Sequence, residues 1–153
     1  REKKTSSTAV SCPAAPAQNS IQDLLLTQNP YNNDPLQKYL LLSKTLIFDK
    51  CSLNVTAVVP EPNYGIEYGA CRFKINDANV IFRIAKITPK KIGQFVTCWK
   101  RSSEGLTTPY DSTDPVDILI VCTKNDDHFG QFVFPKSTLM EQNIFSTNKL
   151  NNI

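Results

Sequence analysis

The sequence predicts an α+β fold: a mixed, mostly antiparallel five-stranded sheet with helices packed on it. Two observations carry this expectation. From Glu67 onward, apolar and polar residues alternate in short runs bounded by Asn, Asp, Gly and Pro, the mark of half-buried strands joined by turns. Ahead of Cys71, a proline-initiated segment spaces its leucines as a helix does.

Residues 1–19 hold a short basic start, then Ser, Thr, Ala and Pro. They cannot bury enough apolar surface to offset the entropy of ordering, so a disordered tail is expected. Ser20 to Gln28 reads as a short helix with Ser20 as N-cap, ended by Asn29-Pro30. Asp34-Pro35 then reads as N-cap and first residue of a second helix, because proline there lacks only a hydrogen bond that is absent anyway. Leu36, Tyr39, Leu40 and either Leu46 or Ile47 share one face of it. Glu61 to Gly65 is a loop.

Cys71, Phe73 and Ile75 alternate with Arg72 and Lys74 in a first strand, and Asn76-Asp77 turns the chain. Asn79 to Ile87 is a second strand, ended by Thr88-Pro89. Gln94 to Arg101 is a third, with Phe95, Thr97 and Trp99 on one face, which favours the core for Trp99 over a stacking platform at the surface. Its antiparallel neighbour would be the second strand. Ser102 to Asp114 is a polar loop. Val116 to Thr123 is almost continuously apolar, as in a strand covered on both faces. Asn125 to Asp127 turns, Gly130 to Phe134 is the fifth strand, and Ser137 caps a short helix reaching Gln142. A single domain over residues 20–144 follows, with a frayed end over 145–153.

Composition narrows the function classes. An apolar share of 41% and a charged share of 20% over 153 residues suit one globular domain. The run Val116 to Cys122 is interrupted by Asp117 and is far too short to span a bilayer. No apolar signal core opens the chain, and Arg1 in place of Met suggests a fragment or processed form. Five cysteines lack any C-x-x-C pair and His128 is the lone histidine, so neither a metal site nor a cofactor is expected. Cys71, Cys98 and Cys122 read as buried reduced thiols, which favours the cytoplasm.

Charge supplies the functional signal. Between Arg72 and Arg101 stand eight basic residues, Arg72, Lys74, Arg83, Lys86, Lys90, Lys91, Lys100 and Arg101, against one acid, Asp77. The whole chain has 17 basic and 14 acidic side chains, so nearly half of its positive charge lies in a fifth of its length. Such a ribbon favours a polyanionic partner, with Trp99 or Tyr68 available to stack on bases. Thr88 to Gly93 lacks the spacing of a P-loop, and His128 reads as an exposed turn residue with no nucleophile beside it.

Three motifs, FRIAKITPKKIGQFVTCWKR, DPVDILIV and HFGQFVFPKSTL, follow one another between about Glu67 and Ile144. In them the chain resembles the MepB family of small bacterial proteins. The resemblance implies a reduced core of the restriction-endonuclease type and a role with nucleic acid, DNA ahead of RNA. A nuclease of that type needs acids to hold Mg²⁺ and a lysine near the attacking water. The candidates are Glu67, Asp117, Gln131 and Lys136, but Val133 stands where the lysine belongs and Gln131 replaces an acid. A non-catalytic nucleic-acid-binding protein is therefore the expected function. A degenerate nuclease and a protein-interaction module are the alternatives.

Overall fold

The computed structural model describes residues 35–61 and 68–147. The expected tail, the helix from Ser20, the cap Asp34, most of the loop after Glu61, and Glu67 itself lie outside them. Helix α1 (Pro35–Ser43) runs into a π-helical turn (Lys44–Phe48), then strands β1 (Val55–Pro60), β2 (Cys71–Ile75) and β3 (Ala78–Ile84). Two short pairs follow: β4 (Lys86–Ile87) with β5 (Gln94–Phe95), and β6 (Trp99–Arg101) with β7 (Thr107–Pro109). Strands β8 (Ile118–Asn125) and β9 (His128–Pro135) and helix α2 (Lys136–Glu141) complete the order.

The main sheet has five strands in the order β1-β2-β3-β8-β9. All neighbours are antiparallel except β3 and β8, which run parallel from Val80↔Ile118 to Ile84↔Cys122. The α+β expectation, a mixed and mostly antiparallel sheet, thus describes the architecture. Two tight hairpins build it. Asn76 (φ 52) turns β2 into β3 and Asp126 (φ 48) turns β8 into β9, both side-chain types that tolerate the left-handed region. A parallel pair cannot be closed by a tight turn, so a long crossover must separate β3 from β8. Here it carries the two short strand pairs instead of a helix.

The predicted third strand is corrected by this arrangement. Gln94 to Arg101 breaks into β5 and β6, neither joins the main sheet, and β8 takes the place beside β3. The place it leaves in the five-stranded sheet is filled by β1, which the sequence hid: five of its six residues are exposed, so no alternation shows. Its register also slips between Thr56 and Val59, where Ala57 takes φ 54. The second strand ends earlier than expected, because Ala85 N donates to Cys122 O and the chain then leaves for β4.

Two apolar layers sandwich the sheet. On one face, Phe48, Phe73, Val80, Phe82, Ile84 and Ile120 meet Tyr39, Leu40 and Ile47 of the helical segment, so Ile47 rather than Leu46 joins the helix face. On the other, Ile81, Leu119 and Val121 meet Tyr110, Leu139 and Phe145. Strand β8 feeds both layers, as its apolar run implied. Fully buried side chains of this size stabilise by about 1.5–3 kcal/mol each. Ser43 and Cys122 share a buried hydrogen bond of 3.0 Å, and burial pushes the Cys122 thiol up to about 11. Strand β9 forms the outer edge, with Phe132 and Val133 exposed and the Phe132 ring stacked on Phe134. Among the described residues no helix is long and apolar enough to cross a membrane.

Helix α2 opens on Pro135 as N-cap, without a side-chain cap, so the Ser137 expectation is corrected. Asp117 fastens the start of the parallel pair. Its Oδ2 accepts from Asn79 N at 2.7 Å, and its backbone oxygen accepts from Lys136 N at 2.9 Å. Asp117 is exposed, so water can replace its carboxylate at the Asn79 amide. Asp117→Ala should therefore lower unfolding stability by about 0.5–1.5 kcal/mol, the net worth of one hydrogen bond, measured by urea denaturation.

Candidate nucleic-acid interface

Of the eight cations of the ribbon, three meet acid partners, and strand direction buries one of them, Arg83. Strand alternation turns Arg83 onto the same face as Ile81, under the crossover, where it is 2% exposed. Its Nη2 donates to Glu61 Oε2 at 3.0 Å and to Tyr110 Oη at 3.3 Å, and its Nη1 donates to Phe82 O at 2.9 Å. Glu61 Oε1 accepts from Arg72 Nε and from Tyr110 Oη, each at 3.2 Å. Burial pushes the Tyr110 hydroxyl up, against the pull of Arg83, so it stays a neutral donor. Burial likewise raises the Cys98 thiol against the same guanidinium.

Lys100 is also committed inward. Its ammonium donates to Asp111 Oδ2 at 3.1 Å and to Asp114 Oδ2. Partial burial works against the charged form, the two carboxylates outweigh it, and the lysine pKa sits above its ordinary value. Hydrogen bonds from Thr113, then Lys100, hold Asp111 down at about 2. Three cations of the ribbon, Arg72, Arg83 and Lys100, therefore meet acids that lie outside it: Glu61, Asp111 and Asp114. Sequence inspection missed these partners because each lies more than ten positions from its cation.

Of the other five cations, Lys86 is half-buried and four are exposed. Lys74 is exposed on β2 and Arg101 on β6. Lys86, Lys90 and Lys91 decorate the β4–β5 hairpin, whose tip is a turn closed by Lys91 N donating to Thr88 O at 3.3 Å. Pro89 supplies the fixed φ that suits the second position of such a turn, and Gly93 (φ 80) the left-handed return. The base is braced by aromatic rings: Lys86 Nζ lies 4.5 Å from the Tyr68 centroid, Tyr68 meets Phe95 edge-on at 6.4 Å, and Lys91 Nζ lies 5.4 Å from Phe95. Gln94 Nε2 donates to Lys124 O at 3.1 Å and ties the hairpin to β8 beyond the end of β3. The expectation of a core tryptophan is overturned: Trp99 is 47% exposed, because β6 joins β7 in a separate two-stranded pair and not the main sheet.

The weaker nuclease set is not assembled as a cluster. Gln131 pairs with Cys122, five positions along β8 from Asp117, a separation of about 17 Å at 3.3 Å per residue. Lys136 follows Asp117 by main-chain contact, but its Nζ donates to Asp114 O at 2.6 Å. Glu67 lies outside the described residues. Among the described residues, no three His, Cys, Asp or Glu side chains come together as metal ligands. His128 is exposed at the β8–β9 turn.

Two outcomes test this geometry. Glu61→Ala should destabilise by about 3–5 kcal/mol, since it strands the Arg83 charge inside; thermal melts should show it, and Glu61→Gln should recover part. The Asp111 carboxyl is held below its free value of 3.8, so its contribution is fully present above about pH 4 and fades as pH falls toward 2. An acid titration of stability should lose that portion in Asp111→Asn.

A family model described as MepB-like matches residues 62–152. The chain is also similar to the crystal structure of MepB, with 31% sequence identity, 70% of this chain and 72% of that chain covered, and a TM-score of 0.59. No curated protein matches it. With the family model over more than half its length and that likeness in sequence and fold, the chain belongs to the MepB-like family.

Proposed function

We propose that this protein binds nucleic acid without cleaving it, and that the β4–β5 hairpin is the principal contact. The observation that carries the proposal is the lysine tip. Lys90 and Lys91 are exposed on a projecting turn, and no acidic residue occurs between Asp77 and Glu104. Lysines placed this way neutralise phosphates and release counterions, the main source of sequence-independent affinity. Lys74 and Arg101 extend the charge beyond the hairpin. Arg72, Arg83 and Lys100 have acid partners and act as scaffold.

DNA is favoured over duplex RNA on shape. The grooves of B-DNA admit a β-ribbon, whereas the major groove of A-form RNA is too deep and narrow for side chains to read. Trp99, half-exposed and followed by Lys100 and Arg101, offers a stacking face for single strands. The free thiols of the described cysteines suit a cytoplasmic setting.

The test is salt-dependent binding to a short duplex, followed by fluorescence anisotropy. The Lys86→Ala, Lys90→Ala, Lys91→Ala triple variant should flatten the slope of log K against log salt by up to about 2.7, at about 0.9 per phosphate. An unchanged slope in the folded variant would sink the proposal.

A further inference from the structure

The hairpin that carries the lysines also carries the most exposed apolar side chain of the described residues. Ile92 has 106% of its reference surface in water and Ile87 has 69%. Phosphate binding uses neither. Single exposed aliphatic residues are ordinary on surfaces, but this one sits beside Lys91 at a turn, one residue before the glycine that reverses the chain. The space around that reversal is open: a Cβ added at Gly93 would meet nothing within 4 Å. Ile92 thus stands in water, while the base of the same hairpin is held by Tyr68, Phe95 and Gln94. A braced base with a bare apolar tip next to two cations is suited to a surface that is anionic outside and apolar within. Duplex DNA is such a surface, with phosphates outside and stacked bases inside. Proteins that kink it insert Ile, Leu, Phe, Met or Pro between base steps while basic side chains hold the flanking backbone.

We infer that Ile92 is a wedge, which enters a base step of duplex DNA and bends it while Lys90 and Lys91 hold the adjacent phosphates. This rests on the nucleic-acid reading above and adds deformation to it. Unstacking is easiest at pyrimidine–purine steps, so TA and CA steps are the preferred entry points and give a mild sequence preference without base hydrogen bonds.

The experiment uses the full chain and a 25-base-pair duplex with one central TA step, labelled at its two ends for energy transfer. Salt-titrated anisotropy runs in parallel. The wild type should bind and shorten the end-to-end distance, as a bend of about 20–90° requires. Ile92→Gln should keep the salt slope and the melting temperature, lose the bend, and bind about ten-fold more weakly. Ile92→Met should keep the bend, because methionine also serves as a wedge. Binding without bending by the wild type, or equal bending by Ile92→Gln, overturns the wedge and leaves the nucleic-acid proposal standing. Absence of any salt-dependent binding overturns both. Retention on vesicles of phosphatidylcholine and phosphatidylserine that is lost in Ile92→Gln, with no DNA bending, assigns the tip to a membrane surface and also overturns the wedge.

Discussion

A guanidinium buried against the second face of a β-sheet sets the conditions for much of this structure. Removing the charge of Arg83 from water costs several kcal/mol, which only opposite charge and full hydrogen bonding can offset. Glu61 supplies the charge from just beyond β1, Tyr110 a hydroxyl from just beyond β7, and Phe82 a carbonyl from the neighbouring residue. The pair therefore requires that the edge strand, the central strand and the crossover be in place together. A single misplaced segment would leave an unpaired ion in an apolar layer, so the cluster contributes specificity of arrangement more than net stability.

The same cluster divides the positive charge of the chain. Acids meet Arg72, Arg83 and Lys100, burying Arg83 and leaving much of Arg72 in water, while Lys90 and Lys91 are exposed on the β4–β5 hairpin. The hairpin exists because the sheet is mixed. Once β3 must lie parallel to β8, the chain between them has to travel, and part of that path becomes an arm. Fold and candidate site are linked through that crossover.

Much of this was legible in the sequence. Strands β2, β8 and β9 follow from alternation, from the apolar run and from the Asn- and Asp-containing turns, all of which are local signals. The helix from Pro35 follows from its proline start. What failed was non-local. Gln94 to Arg101 alternates like a strand, but alternation does not name a partner, and the parallel β3–β8 pairing displaced it. Strand β1 was invisible because its side chains face water. In the site, the lysine tip could be read directly, because its residues are neighbours in sequence. The inward commitment of Arg83 and Lys100 could not, since nothing local distinguishes a cation whose acid partner lies far along the chain.

The parallel seam also has a kinetic meaning. The β2–β3 and β8–β9 hairpins join near neighbours and are expected to close within about 1–10 μs of chain collapse. The seam from Val80 to Ile118 can zip only after the whole crossover loop has been drawn in, at a greater entropic cost. Assembly of the two halves is then the slow event, and the lysine arm is carried by the segment whose closure limits it. Changes confined to the exposed tip should leave the folding rate alone. Changes at Asp117 or Asn79, where the seam begins, bear on it directly.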